Sequence, residues 1–258
     1  MFEARLTQGS VLKLIVDAMK DLVSDANFEC TGSEISVQAM DSSHVTLITL
    51  VLRKEGFAHF RCDKALTMGL KMGSLAKILK CADGNDTITL KAEDEGDVIN
   101  LVFENENADR ISDFELKLIE LEAEHLEIPE EECQATLSMS SGEFQRLCRD
   151  LSVLGDSCAI SVTKEGVRFS VEGDVGKGSV MLRPSESVDG KNDVKIDMKQ
   201  VIEQKFALRY LSMFTKATSL SNSVKLTLTN DMPLKVDYEI EGLGALCFYL
   251  APKMEDDE

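Results

Sequence analysis

Apolar positions along the first half of the chain recur with two different periods. Val11, Leu12, Leu14, Ile15, Val16, Met19 and Leu22 keep the three-and-four spacing of one helical face, predicting a helix over 10–23 with Ser10 as its N-cap. Leu75, Ile78 and Leu79 predict a second helix over 73–81. Apolar and β-branched runs bounded by turn residues mark short strands at 2–6, 27–30, 35–40, 46–52 and 66–70, and a hairpin of 87–92 with 98–104 about Asp94-Glu95-Gly96.

The second half repeats that order. A strand at 135–139 leads into a helix over 141–153 carrying Phe144, Leu147, Cys148 and Leu151. A hairpin of 158–163 with 167–171 turns at Glu165-Gly166, and a strand follows at 194–198. A helix over 206–217 carries Leu208, Leu211 and Phe214, and a last hairpin joins 224–228 to 234–240. The first and third helices are about 132 positions apart and the second and fourth about 136. The expected fold is therefore α+β: two similar domains over 1–117 and 135–258, each with two helices on one side of antiparallel sheet, joined by a connecting segment over 118–134.

Residues 104–132 hold twelve acids against Arg110 and Lys117. Within them 111–118 alternates Phe114, Leu116 and Leu118 with Asp113, Glu115 and Lys117, the pattern of a half-buried strand. The linker after it, 119–132, keeps Leu121, Leu126 and Ile128 before Pro129, a spacing that lets it pack on something.

Composition narrows the function. With 28 Lys plus Arg against 46 Asp plus Glu, the net charge is −18, a field that repels nucleic acid and anionic membrane unless the few cations are placed together. No apolar run approaches the ~20 residues of a membrane span, and the N-terminal residues lack the pattern of a signal peptide, so a soluble intracellular protein is expected. Seven scattered cysteines without a C-x-x-C pair read as reduced core thiols. His44, His59 and His125 lack metal-ligand spacing. Residues 173–179, G-D-V-G-K-G-S, miss the spacing of a phosphate loop and read as a glycine-softened strand. With no catalytic constellation, neither an enzyme nor a cofactor is expected.

The cations are patterned. Lys13 and Lys20, Lys77 and Lys80, Arg146 and Arg149, and Arg209 and Lys216 lie three or seven apart, so each predicted helix presents two on one face. Without base-reading or stacking partners they suit phosphate contacts, which position a protein but carry no sequence information.

Longer motifs carry a resemblance. Met1-Phe2-Glu3-Ala4-Arg5-Leu6, Met40-Asp41-Ser42-Ser43-His44-Val45, Lys77-Ile78-Leu79-Lys80-Cys81, Cys148-Arg149-Asp150-Leu151, Phe206-Ala207-Leu208-Arg209-Tyr210-Leu211 and Tyr249-Leu250-Ala251-Pro252-Lys253 are similar to the proliferating cell nuclear antigen family of eukaryotic DNA sliding clamps. The resemblance spans essentially the whole chain. It implies a pseudo-sixfold homotrimeric ring, helices inward, that encircles double-stranded DNA and tethers DNA polymerase, the clamp loader and other replication and repair proteins in the nucleus.

By that resemblance Lys13, Lys20, Lys77, Lys80, Arg110, Arg146, Arg149 and Lys216 face DNA. Met40, His44, Val45, Leu47, Leu126, Ile128, Ala207, Pro233, Tyr249, Ala251 and Pro252 match a groove for partner peptides. Strands matching 109–117 and 175–183 join subunits through Ile111, Phe114, Leu116, Ser179 and Met181, and Lys164 matches an acceptor of ubiquitin and SUMO. The chain departs from the family at Cys133, where Tyr is common, over 200–205, and in a variable loop over 184–192. The alternatives are a specialised clamp paralogue and an acidic interaction scaffold that never encircles DNA.

Overall fold

The computed structural model describes residues 1–105, 107, 109–122, 126–128, 132–186 and 193–253. His125, Pro129, residues 187–192 of the expected loop and the acidic run 255–258 lie outside them. The chain divides into two compact units, Met1–Leu126 with Ile240–Leu246, and Glu127–Glu239 with Cys247–Glu258.

The first unit runs β1 (Phe2–Leu6), α1 (Gly9–Met19), β2 (Asp25–Cys30), β3 (Glu34–Met40), β4 (Thr46–Arg53), β5 (His59–Cys62), β6 (Leu66–Lys71), α2 (Met72–Leu79), β7 (Thr87–Ala92), β8 (Val98–Glu104) and β9 (Ile111–Lys117). Its antiparallel strands are ordered β5-β1-β7-β8-β9 in one layer and β4-β3-β2-β6 in another. α1 and α2 pack on each other.

The second unit runs β10 (Ala135–Ser140), α3 (Ser141–Leu151), β11 (Ser157–Thr163), β12 (Gly166–Gly173), β13 (Gly176–Leu182), β14 (Lys195–Met198), β15 (Ile202–Ala207), α4 (Leu208–Phe214), β16 (Ser223–Leu228), β17 (Leu234–Ile240) and β18 (Gly244–Leu250). Its strands are ordered β14-β10-β16-β17-β18 and β13-β12-β11-β15. Element for element this is the order of the first unit, with α3 packed on α4. The fold is α+β, with four α-helices among the described residues.

Each helix forms where apolar side chains share a face. α1 buries Leu12, Ile15, Val16 and Met19, and α3 buries Phe144, Leu147, Cys148 and Leu151. The ends differ from the sequence expectation. Ser10 lies inside α1, whose N-cap is Gln8 with no side-chain bond. The first-turn amide of Gly9 is instead satisfied by the Asp86 carbonyl at 3.0 Å. A Cβ at Gly9 would sit 2.3 Å from Ile88 Cγ1, so that close approach needs glycine. α3 has the side-chain cap, Ser140 Oγ accepting from the Glu143 amide at 3.1 Å.

The fourth helix is shorter than its apolar pattern. Phe206 and Ala207 belong to β15, paired with Cys158 and Ser157 of β11, and 215–219 is a 3₁₀ turn. β5, β15 and β18 are strands that periodicity did not mark. Of the seven cysteines, Cys30, Cys148, Cys158 and Cys247 are buried, Cys62 and Cys133 are half-buried and Cys81 is exposed, so the core-thiol reading holds for four.

Candidate functional site

The helices concentrate positive charge in an acidic chain. With their C-caps and the 3₁₀ turn they carry Lys13, Lys20, Lys77, Lys80, Arg146, Arg149, Arg209 and Lys216 against only Asp17, Glu143 and Asp150. α2 and its cap Lys80 hold no carboxylate at all. Lys20, just past α1, bonds Asp17 one turn back.

Arg146 and Arg149 share Asp150 at 3.6 and 3.1 Å, all three exposed. Such exposed pairs contribute about 0–1 kcal/mol, so a phosphate can replace the carboxylate at little cost. Arg209 instead lies over the Tyr210 ring, 4.6 Å from its centroid, and donates to the Tyr210 hydroxyl at 3.0 Å. Arg110, outside every helix, is brought to the C-terminal end of α2 by an ion pair with Asp83 at 3.5 Å.

Two strands present open edges. Among the described residues β9 pairs only with β8 and β13 only with β12, so each leaves a row of backbone donors and acceptors free. On β9, Ile111 is 61% exposed, Leu116 is half-buried, and Phe114 packs its ring 5.2 Å from Phe103. On β13, Ser179 is exposed and Met181 half-buried. Lys164 is exposed in the tight turn between β11 and β12.

The connecting segment is tied to the first unit at two points. The Ile119 amide donates to the Gly69 carbonyl at 2.9 Å, where a Cβ on residue 69 would meet the Ile119 oxygen at 2.0 Å. Leu126 is held by Gln38, whose Nε2 donates to the Leu126 carbonyl at 3.0 Å and whose Oε1 accepts from the Leu126 amide at 2.7 Å. Gly69 is on β6 and Gln38 on β3, two strands apart in the same layer.

A cavity of about 310 Å³ is lined by Met40, His44, Leu47, Leu121 and Leu126, with the carboxylates of Asp25, Glu29 and Glu122. Val45, expected with these residues, is half-buried but not in the lining. Asp41, 6% exposed, builds the rim: Oδ1 accepts from the amides of Val45 at 2.8 Å and Thr46 at 2.7 Å, and Oδ2 from Ser43 at 3.1 Å. This holds His44 at φ 56°, in the left-handed region. Neither Asp41 nor Gln38 was singled out from sequence. An acid opening the polar turn Asp41-Ser42-Ser43-His44 between two strands was the available signal for the first, while Gln38 gave none.

In the second unit Ile128 is 38% exposed, Ala207 ends β15, and Pro233 precedes β17. Tyr249 is half-buried on β18 with the Lys235 ammonium 6.0 Å from its ring centroid. Ala251 and Pro252 follow, and the Lys253 amide donates to the Lys205 carbonyl at 2.7 Å. Pro252 also lines a separate cavity of about 840 Å³ on the β11–β13 face.

Residues 1–125 match the proliferating cell nuclear antigen N-terminal domain, and residues 127–253 match its C-terminal domain. The chain belongs to the proliferating cell nuclear antigen family. It is a member of a family of DNA sliding clamps, non-catalytic scaffolds of DNA replication and repair that oligomerise and work with DNA and polymerase. Each unit carries its own pair of cationic helices, and among the described residues β9 and β13 each leave one edge unpaired. Among the described residues no helix is long and apolar enough to cross a membrane, and no cluster of His, Cys, Asp and Glu could hold a metal ion.

Proposed function

We propose that three copies close into a ring around duplex DNA and tether replication and repair proteins to it, in the nucleus. The observation that carries this is the charge on the helices and their C-caps, eight cations against three carboxylates in a chain of net charge −18. Enclosure gives residence on DNA. The cations supply weak phosphate contacts, each worth a slope of about −0.9 in log K against log salt, which leave sliding barriers low. β9 of one copy joins β13 of the next head to tail, which satisfies both open edges and closes the ring.

Partner proteins insert the apolar anchors of a short peptide into the first unit's cavity beside Met40, His44, Leu47 and Leu126. Lys164, exposed in a turn, accepts ubiquitin and SUMO. The test replaces Lys20, Lys77, Arg149 and Lys216 together with alanine. Loader-dependent processive synthesis should be lost while the trimer mass is retained, and undiminished synthesis would remove the central argument.

A further inference from the structure

Cys30 and Cys62 are 32 positions apart in sequence and come together in the first unit. Cys30 ends β2 with its side chain buried, and Cys62 ends β5, the edge strand of the other layer. The Cys62 Sγ lies 3.5 Å from the Cys30 carbonyl oxygen and donates to the Lys64 carbonyl at 3.0 Å. The two thiols sense each other electrostatically: a Cys62 thiolate disfavours ionisation of Cys30, which burial already pushes up to about 12. Cys62 is half-buried and partly open to solvent; Cys30 is 1% exposed. A partly solvent-facing sulfur backed by a buried one is the arrangement of an attacking and a resolving thiol.

We propose that Cys62 and Cys30 form a peroxide-oxidisable dithiol whose product is a disulfide between β5 and β2. The Cys62 sulfur, as thiolate, attacks one oxygen of hydrogen peroxide. An S–O bond forms, the O–O bond breaks, and the departing hydroxide takes up a proton as water. The resulting sulfenic acid is attacked by the Cys30 sulfur, which gives up its proton. The S–S bond forms, the S–O bond breaks, and a second water leaves. Two thiols lose two electrons and two protons, and one peroxide becomes two waters.

The bridge ties an edge strand of one layer to the interior of the other, closing a loop of about 33 residues in the unfolded chain. Burial also raises the Cys62 pKa, so the reaction is slow at neutral pH and answers to millimolar rather than micromolar peroxide. Cys148 and Cys158, both buried, have no solvent-facing member and stay reduced.

The full chain is treated with millimolar hydrogen peroxide, alkylated and digested with trypsin without reductant. The expected product is peptide 21–53 joined to peptide 62–64, two hydrogens lighter than the sum of the two. The oxidised protein should melt roughly 5 °C higher than the reduced one, returning on treatment with dithiothreitol. In Cys30→Ser, checked for an unchanged circular dichroism spectrum, the joined peptides should vanish and Cys62 should go on to sulfinic acid. Recovery of Cys62 as sulfinic acid in the unmodified sequence, with Cys30 left free, would overturn the proposal. So would a joined pair that forms only in denaturant.

Discussion

Removing the Asp41 carboxylate tests how the rim of the first unit's cavity is held. In Asp41→Ala the amides of Val45 and Thr46 lose charge-assisted acceptors at 2.8 and 2.7 Å, and the Thr46 amide is buried where water cannot replace the bond. The Ser43 amide, on an exposed residue, turns to water at little cost. Two such losses, one leaving a buried donor unpaired, sum to about 3 kcal/mol. Asp41→Asn keeps one oxygen for Val45 and Thr46 but aims an amide at the Ser43 N–H, for about 1–2 kcal/mol.

Urea unfolding at fixed protomer concentration should therefore rank wild type above Asn above Ala. Released from the clamp, His44 relaxes out of its left-handed conformation, and affinity for a fluorescent partner peptide should fall roughly tenfold in Asp41→Ala. An Ala variant within about 0.5 kcal/mol of wild type, or an Asn variant as weak as Ala, would refute the reasoning.

Other consequences follow from edges and thiols. Ile111→Arg places a charge on the open edge of β9 without touching the core, so light scattering should show the mass falling from three times 28.5 kDa to one; an unchanged mass would place the subunit contact elsewhere. Cys30 and Cys158 are pushed by burial from 9.0 to about 12. Between those values the unfolded chain has released protons that the folded chain still holds. Stability is therefore fully present below about pH 9 and falls above it, by about 1.4 kcal/mol per pH unit for each thiol. Urea midpoints from pH 7 to 10.5 should show that fall, with a shallower slope in Cys30→Ala/Cys158→Ala; parallel slopes would contradict it.

Local physics made much of this chain readable in advance. Apolar stripes with a 3.6-residue period fix α1, α2 and α3 because a helix must bury one face, and the Asp94-Glu95-Gly96 turn sets the β7–β8 register. The doubled order of elements and the cation pairs are likewise properties of spacing. Where ladder pairing competed with helical periodicity, pairing won: Phe206 and Ala207 finish β15 because β11 supplies their partners from about 50 residues away. β18 is a nearly continuous apolar run, in which period-two alternation cannot register.

The candidate site divides the same way. Charges on helices were visible in the sequence, but their partners were not. Arg110 reaches Asp83 across 27 positions, Gln38 holds Leu126 across 88, and Cys62 meets Cys30 across 32. Which strands become edges, which carboxylate shapes the cavity rim and which thiols become neighbours are set by chain closure over long loops. One-dimensional spacing holds no record of that closure; only the packed tertiary structure decides it.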